Sequence, residues 1–296
     1  MPSIFLLFGG SGRTGQITAR AATRAGYQLL APSHVECPLE DAEAVSDLVL
    51  HSKAAVVVNC AAISGLEACA ANPLQAHLVN AVAPAAMALA CRHTGARFIH
   101  LSTDYVLDGR RAGLKNESAK CRPAGWYAES KREGELEVLE ALPEALVARV
   151  SWICGNPARP AFVEQALARA LRGEPLAAVA DKYSLPTDAE DIARVLLSLA
   201  EGEAHGILHL CSLGEPCSWW ECAHTALQEA VACGTLPAMP PLVRQELDKV
   251  PFFREPRPRH TAMDATRLFT MGIPMPTADE CVRRVARRFL AALTGC

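Results

Sequence analysis

The sequence lacks the patterns that indicate a disulfide-bonded, metal-binding or nucleic-acid-binding protein. It has twelve cysteines in 296 residues, but no two of them form a CxxC pair. Several lie inside apolar runs, where a thiol behaves as a small hydrophobe. The formal net charge is only −3, and the lysines and arginines are scattered along the chain. We therefore expect no metal site and no nucleic-acid partner.

A long hydrophobic run is missing at the N-terminus. The apolar stretch from Ile4 to Phe8 has no basic lead and runs directly into Gly9 and Gly10, so it is too short for a signal peptide or a membrane span. We expect a cytoplasmic protein without a membrane partner. Half of the residues are hydrophobic and 21% are charged, which is typical of an ordinary globular protein.

The nearest approach to a basic cluster lies near the C-terminus. Its four arginines are Arg283, Arg284, Arg287 and Arg288, and apolar residues alternate with them. This spacing is typical of an amphipathic helix, so we expect the arginines on its solvated face.

Short apolar runs alternate with longer helical patterns up to about residue 155, in the rhythm of repeated βαβ units. Each run is almost continuously hydrophobic, as expected for strands that are covered on both faces. The predicted strands are Ile4–Phe8, Tyr27–Ala31, Ala55–Asn59, Arg97–Ser102 and Leu146–Ser151. The clearest predicted helices are Gln16–Ala25, Ala42–Val49, Pro73–Thr94 and Tyr127–Leu142. The sequence thus predicts the α/β class, with a doubly wound parallel sheet of the Rossmann type.

A glycine-rich turn follows the first predicted strand and leads into a helix. Gly9, Gly12 and Gly15 have the spacing GxxGxxG, which differs from the GxGxxG fingerprint and is the spacing of short-chain dehydrogenases. Glycines let the backbone approach a pyrophosphate, and a helix N-terminus offers unpaired N–H groups to it. We predict that this turn binds a dinucleotide; the alternative is a plain strand-to-helix turn.

The end of the second strand lacks the acidic residue that NAD-preferring sites usually have there. The segment runs from Ala31 to His34 without a carboxylate, and Arg13 in the glycine turn could pair with a 2′-phosphate. This charge argument favours NADPH over NADH. The alternative is that Arg13 is simply exposed.

Tyr127 and Lys131 are four residues apart in a predicted helix, so their side chains leave the same face. A neighbouring ammonium favours the phenolate and brings the tyrosine pKa, about 10 when free, closer to neutrality. Thr103 follows the fourth strand, at the sheet edge where ligands bind in open α/β folds. We predict that Tyr127 is the proton donor, that Lys131 supports it, and that Thr103 binds a substrate oxygen.

The pattern loosens beyond residue 155. Helices are predicted at Phe162–Arg172 and Ala189–Ala200, followed by a strand at Gly206–Cys211 that could rejoin the sheet. The proline-rich stretch Pro237–His260 is predicted to be irregular. We expect a dinucleotide-binding domain over residues 1–155, rejoined by 187–212, and a smaller C-terminal substrate-binding lobe formed by 156–186 and 213–296.

Motifs in a fixed order resemble those of the extended short-chain dehydrogenases, and more closely the dTDP-4-dehydrorhamnose reductase family. The most specific are Val58–Ala62, Val79–Ala81 and Ser102–Gly109. The others follow in order: Tyr127–Lys131, Arg149–Trp152 with Gly155, Pro186–Thr187, His209, Ser218–Trp219 and Arg257–Pro258. The resemblance spans nearly the whole chain. It implies an NAD(P)H-dependent reductase of a nucleotide-linked 4-keto-deoxysugar, with dTDP-rhamnose as the product.

The resemblance also implies a role for individual residues. Tyr127 would donate a proton to the sugar C4 carbonyl oxygen, Lys131 would hold the nicotinamide ribose and lower the tyrosine pKa, and Thr103 would align the ketone. Asp104 and Trp152 would line the sugar site. The residues that would contact the cofactor are Gly9, Gly12, Arg13, Thr14, Gly15, Ala62, Ile63, Ser64, Tyr127 and Lys131.

Other hypotheses stay open at this point. Related dehydratases resemble Ser-Thr-Asp-Glu, where this chain has Tyr105 in place of the glutamate, and a phenol is a poor substitute for that base. An epimerase or another nucleotide-sugar dehydrogenase is a second possibility, and a regulatory protein similar to the β subunit of methionine adenosyltransferase is a third. Asp181-Lys182 departs from the Asp-Gln pair that is common in the family. A homodimer is possible, and magnesium has no support in the sequence.

Overall fold

A computed structural model describes residues 2–294 as a central sheet with helices on both faces. The strands are β1 (Ile4–Phe8), β2 (Gln28–Leu30), β3 (Val56–Asn59), β4 (Arg97–Thr103), β5 (Leu146–Val150), β6 (Ile153–Cys154), β7 (Leu176–Val179), β8 (Tyr183–Ser184), β9 (Thr187–Asp188), β10 (Gly206–Leu210), β11 (Cys217–Ser218) and β12 (Leu242–Gln245). The central sheet has the order β10-β5-β4-β3-β1-β2, and all its neighbouring strands are parallel.

The helices are α1 (Arg13–Arg24), α2 (Ala42–Ser52), α3 (Leu66–Ala71), α4 (Pro73–His77), α5 (Ala83–Thr94), α6 (Trp126–Ala141), α7 (Phe162–Leu171), α8 (Ala189–Ala200), α9 (Trp219–Ala232), α10 (Thr266–Thr270) and α11 (Ala278–Thr294). One π-helical turn, Leu78–Val82, joins α4 to α5, and 3-10 turns lie at Asp104–Val106 and Leu247–Lys249.

The sheet buries both of its faces because its strands carry apolar side chains in both directions. On one face Phe8, Phe98 and Val147 pack with residues of α2, α5 and α6. On the other, Leu7 and Ile99 pack with residues of α1 and α8. The predicted fold class is therefore confirmed, since helices on both faces of a parallel sheet define the doubly wound arrangement.

The five strands and four helices predicted in the first part of the chain are confirmed, with ends that differ by up to three residues. The predicted helix Pro73–Thr94 is continuous except for the π-helical turn. It is the one helix among residues 2–294 that is long and apolar enough for a membrane span, with a mean hydropathy of 1.4 in its most apolar part. Of that part, 56% is buried inside the protein, which is also the behaviour of a core helix.

The stretch Pro237–His260 contains a strand that the proline pattern did not predict. β12 begins directly after Pro240 and Pro241 and pairs in parallel with β7. Proline is compatible with the residues just before a strand, since no ladder hydrogen bond is needed there.

The four arginines of α11 lie on its partly exposed face, as the apolar spacing predicted, but solvent is not their only contact. Each forms an ion pair: Arg283 and Arg287 with Glu229, Arg284 with Asp188 and Asp191, and Arg288 with Asp188 and Glu190. Asp188 has no exposed surface, whereas the Arg287 side chain stays 61% exposed. Apolar spacing identifies the buried stripe of a helix, but it does not show which carboxylates of other elements flank that stripe.

A third apolar cluster lies away from the central sheet. Residues of α7, α9 and α11 form it, among them Leu167, Leu227 and Val285. Short pairs of strands surround it: β6 with β9, β7 with β12, and β8 with β11. The expected substrate-binding lobe contains most of these elements, and its boundaries stay a prediction.

Candidate active site

Two cavities open near the carboxyl ends of the central strands. The turn cavity, of about 350 Å³, is lined by Gly9, Gly12 and Ile63 together with Ser33 and His34 after β2. The tyrosine cavity, of about 360 Å³, is lined by Tyr127 and Thr103 and by residues of the smaller lobe. This placement agrees with the rule that open α/β sheets bind ligands at the carboxyl ends of their strands.

The glycine turn is packed so closely that side chains are excluded. Gly9 has a φ of +77°, and a Cβ atom there would lie 2.6 Å from the Ala61 backbone nitrogen. A Cβ atom on Gly15 would lie 2.0 Å from the Gly9 carbonyl oxygen. Among the described residues, no side chain caps the N-terminus of α1, and its first turn has no acidic residue. The turn therefore presents backbone N–H groups and a positive dipole end to the turn cavity.

Asn80, in the π-helical turn, connects the loop after β3 to α6, the helix that carries Tyr127. Its side chain accepts from the Ile63 backbone nitrogen (2.9 Å) and donates to the Ile63 carbonyl (3.0 Å) and to Ser130 Oγ (3.1 Å). Gly134 on α6 makes this approach possible, since a Cβ atom there would lie 2.2 Å from the Asn80 carbonyl oxygen. Asn80 belongs to the motif Val79–Ala81, for which the family resemblance implied no specific role. Its π-helical turn is a feature that is frequent at functional sites.

Tyr127 lies in the first turn of α6 and faces the tyrosine cavity. Burial raises the pKa of Tyr127 to about 12, although a hydrogen bond with Thr103 acts to lower it. The Tyr105 ring packs edge-on against the Tyr127 ring, with 5.7 Å between the centroids. The phenol is therefore held beside Thr103 and stays protonated at neutral pH.

Lys131 lies one turn further along α6 and is 2% exposed. Its Nζ donates to the Leu101 carbonyl at 2.7 Å and lies 3.2 Å from His100 Nε2. Burial lowers the pKa of the Lys131 amine to about 8, while Glu135 and Cys60 act to raise it. The amine is thus engaged with β4, and the groups that shift the pKa of Tyr127 are Thr103, Asp104 and Cys69.

Asp104 lines the tyrosine cavity, but its carboxylate also holds segments of the protein together. Oδ2 accepts hydrogen bonds from Ser151 and Ser184, each at 3.0 Å, and from Thr261. Oδ1 accepts from Thr103 Oγ1 at 3.3 Å. One buried carboxylate therefore joins the ends of β4 and β5 to β8 and to the segment that follows β12.

Trp152 combines a strained backbone with an unpaired donor. Its φ of +37° lies in a region that residues with a side chain rarely adopt. Its buried indole Nε1 has no hydrogen-bond partner among residues 2–294. The ring lines the tyrosine cavity and packs against Trp219 with 5.6 Å between centroids. A buried polar group without a partner is uncommon in folded proteins.

Comparisons with known proteins agree with this geometry. Residues 3–291 match the family described as the RmlD substrate binding domain. The dTDP-4-dehydrorhamnose reductase of Mycobacterium tuberculosis is 34% identical over 214 residues, which is 71% of this chain and 70% of that protein. The reductase of the same name from Aggregatibacter actinomycetemcomitans is 31% identical over 271 residues, or 89% and 91% of the two chains. The chain belongs to the RmlD family.

A solved structure also shares the fold. The crystal structure of dTDP-4-dehydrorhamnose reductase from Bacillus anthracis in complex with NADP has a TM-score of 0.87 and 22% identity. The match covers 96% of this chain and 99% of that one.

The structure distributes the predicted residues of this RmlD-family chain over three places. The tyrosine cavity is lined by Thr103, Asp104, Tyr127, Trp152, Arg13 and Ser64, and the turn cavity by Gly9, Gly12, Ala62 and Ile63. Thr14, Gly15 and Lys131 are buried outside both linings. Gly15 packs against the Gly9 carbonyl, and the Lys131 amine contacts the Leu101 carbonyl on β4.

Arg13 does not lie where a 2′-phosphate would need it. Its Nε donates to the Arg159 carbonyl at 2.8 Å, and its guanidinium also contacts the Pro160 carbonyl. The side chain lines the tyrosine cavity, whereas the turn cavity meets Ser33 and His34. The charge argument for NADPH therefore cannot rest on Arg13.

Lys182 is a buried cation behind the tyrosine cavity to which the sequence gave no role. It has no exposed surface, and its Nζ donates to the Pro258 carbonyl at 2.7 Å. The ammonium lies 4.8 Å from the Tyr105 ring centroid and 5.5 Å from that of Trp152. Burial lowers the pKa of Lys182 to about 8, and Asp104 acts to raise it. The one feature of the sequence that singled out Lys182 was that the family commonly has glutamine at this position.

The described residues contain no group of three or more His, Cys, Asp or Glu side chains placed to hold a metal ion. Cys217 and Cys222, the closest cysteines in the sequence, are free thiols with 3.3 Å between their sulfur atoms.

Proposed function

We propose that this chain is an NAD(P)H-dependent reductase of a dTDP-linked 4-keto-deoxysugar, with dTDP-rhamnose as the product. The observation that carries the proposal is the protonated phenol of Tyr127, which lies beside Thr103 in a cavity that the Trp152 ring also lines. A donor that stays protonated at neutral pH suits reduction, because the oxygen of a ketone must gain a proton. The names of the relatives from Mycobacterium and Aggregatibacter support the same substrate class.

The turn cavity fits a nicotinamide dinucleotide. Gly9 and Gly15 exclude side chains from the turn, and the uncapped N-terminus of α1 can hold a pyrophosphate. When bound, such a cofactor supplies the hydride for the sugar C4 atom. Ala62, Ile63 and Ser64 follow β3 at the same edge, with Asn80 holding Ile63 on both sides of its backbone.

The residues of the tyrosine cavity would align the ketone and move one proton. Thr103 Oγ1 and the Tyr127 phenol would bind the C4 oxygen, and the phenol would then give its proton to that oxygen. Trp152 and Asp104, which line the cavity, would form part of the sugar site. The apolar rings of Phe162 and Trp219, which line the same cavity, would exclude water from the reacting atoms.

We propose NADPH as the preferred cofactor, with NADH as the alternative. The support is the segment after β2, where Ser33 and His34 line the turn cavity and no residue from 31 to 34 is acidic. The nearby Glu36 carboxylate accepts from the Ser33 backbone N–H at 2.7 Å and is not part of the cavity lining. Glu40 also lines this cavity, but its carboxylate accepts from Gln75 at 2.7 Å and lies 4.0 Å from His34.

We expect Arg13→Ala to leave the preference between NADPH and NADH unchanged, because the guanidinium faces the tyrosine cavity. The KM for the nucleotide sugar should rise by about tenfold, the size of one hydrogen bond to a charged group. The measurement is kcat/KM for both cofactors, with Arg20→Ala, an exposed change on the same helix, as the control. A selective loss of NADPH use would instead return Arg13 to the 2′-phosphate.

The proposed function is tested by mixing the purified protein with dTDP-4-dehydrorhamnose and NADPH or NADH while following the nicotinamide absorbance. We expect oxidation of the cofactor and a reduced deoxysugar product. An inverted sugar without net oxidation would indicate an epimerase. Cofactor binding without any turnover would favour the regulatory hypothesis. A cytoplasmic location and a homodimer remain part of the proposal, and gel filtration tests the dimer.

A further inference from the structure

His100 is a buried titratable residue that the proposed mechanism does not use. It lies on β4, three residues before Thr103, and has no exposed surface. Its Nε2 lies 3.2 Å from Lys131 Nζ, and its Nδ1 lies 3.1 Å from Asn59 Nδ2. The imidazole therefore links Lys131 on α6 to Asn59 at the end of β3.

The direction of this hydrogen-bond chain is fixed at its Asn59 end. The Ala61 backbone N–H can only donate, and it donates to Asn59 Oδ1 at 2.9 Å. Rotating the amide by half a turn would place two donors together, so Asn59 must present its Nδ2 to His100. Nδ1 of His100 then has to accept, and a neutral imidazole that accepts at Nδ1 carries its proton on Nε2.

The Nε2–H bond of His100 points at Lys131, which must accept it. An ammonium has three donors and no lone pair, so the charged form would place two donors face to face. A neutral amine can accept from His100 and still donate to the Leu101 carbonyl at 2.7 Å. We infer that His100, fixed in its Nε2–H tautomer by Asn59, is a positioning residue that favours the uncharged form of Lys131 in the free protein.

The surrounding charges are compatible with this arrangement. Burial lowers the pKa of His100 well below its ordinary value, and a charged Lys131 would lower it further, so the ring is neutral at neutral pH with either form of Lys131. The titratable groups near Lys131 are Glu135 on the same helix, the Cys60 thiol after β3 and His100 on β4. Of these, Glu135 and Cys60 favour the ammonium, whereas burial and the His100 donor oppose it.

Nitrogen NMR of protein with labelled histidine tests the tautomer directly and does not depend on the reaction. The His100 signal among the nine histidines is identified by its loss in His100→Gln. We expect the neutral Nε2–H form across the neutral pH range. An Nδ1–H tautomer or a charged ring in the wild-type protein would overturn the inference.

The effect on Lys131 is tested by the pH profile of kcat/KM, which rests on the proposed function. In His100→Gln the carbonyl oxygen can accept from an ammonium, so the pKa of Lys131 should rise. The decline of kcat/KM at alkaline pH should then move up by about one pH unit, a tenfold change in the protonation equilibrium. The matched control is His209→Gln, a buried histidine on β10 whose ring contacts Arg149 and the Asp264 carbonyl; it should keep the wild-type profile.

The two measurements separate the possible failures. An unshifted profile in folded, active His100→Gln would contradict the influence on Lys131, even with the expected tautomer. If no nucleotide sugar is reduced at all, the proposed function fails, while the NMR result still decides the orientation of the chain from Ala61 to Lys131.

Discussion

The Tyr127→Phe protein is expected to lose roughly 10²–10⁴-fold of its reductase activity, the usual contribution of one general acid. Phenylalanine preserves the ring that packs edge-on against Tyr105, so the cavity keeps its shape. It has no proton to give to the C4 oxygen and no hydroxyl to pair with Thr103. Cofactor binding should persist, because the turn cavity does not include this side chain.

The measurement combines the absorbance assay with a titration of NADPH binding. Tyr183→Phe is the matched control, since it removes the same hydroxyl from β8, where the ring stacks on His260 outside the tyrosine cavity. Activity near that of the wild type in Tyr127→Phe would refute the assignment of the acid. A simultaneous loss of cofactor binding would show that the substitution disturbs more than the proton transfer.

The fold was largely predictable from the sequence because its strands are buried on both faces. A run such as Val56–Asn59 has to be covered by helices on both sides, and the helical patterns between the runs supply that cover. Gly26 and Gly95, which end the first and fifth helices with positive φ values of +88° and +76°, marked these ends in the sequence. β12 was missed because its run is short and follows two prolines.

For the candidate site, the sequence predicted only which residues lie at the same edge of the central sheet. The spacing of Tyr127 and Lys131 places them on one helix face, but the partners of the lysine, His100 and Leu101, belong to a strand about thirty residues away in sequence. Periodicity contains no information on such contacts. The expectation that Lys131 directly lowers the tyrosine pKa therefore missed how β4 engages the amine.

Charged side chains were the least predictable feature. Arg13 was assigned to a cofactor phosphate from its position in the turn, yet backbone carbonyls at 159 and 160 hold its guanidinium. Asp104 was expected to bind sugar, and its carboxylate also accepts three hydroxyl groups from distant segments. The partner of a long or buried charged side chain is often distant in sequence and comes close only in the folded protein. A single sequence therefore does not identify that partner.

Removing one partner of the Glu135–Arg149 ion pair is expected to destabilise the protein more than removing any exposed charge, because the other partner is left buried and unpaired. Both side chains are fully buried, and the guanidinium donates to the carboxylate through Nε and a terminal nitrogen, each at 2.8 Å. Glu135→Leu would leave Arg149 with the Cys121 thiol and His209, neither of which supplies the lost negative charge. We expect the free energy of unfolding to fall by about 3–5 kcal/mol, measured by urea denaturation.

The pH dependence of unfolding gives an independent check on the same pair. Burial acts to raise the pKa of Glu135, but Arg149, together with Ser102 and Arg132, outweighs it and the net pKa is lowered. A carboxylate whose pKa is lower in the folded protein stabilises it above the ordinary glutamate pKa, and this stabilisation is lost as the pH falls through the folded value. Glu135→Leu should therefore lose less stability than the wild type on acidification.

Two control variants separate the buried charge from the loss of a contact. Removing both charges in Glu135→Leu/Arg149→Met should recover most of the stability, because no unpaired ion then remains in the core. Glu174→Leu breaks the exposed contacts with Arg169 and Arg172 and should leave the free energy of unfolding nearly unchanged, because exposed ion pairs contribute little to stability. If the double variant is as unstable as Glu135→Leu, packing around position 135, and not the unpaired Arg149, is the cause.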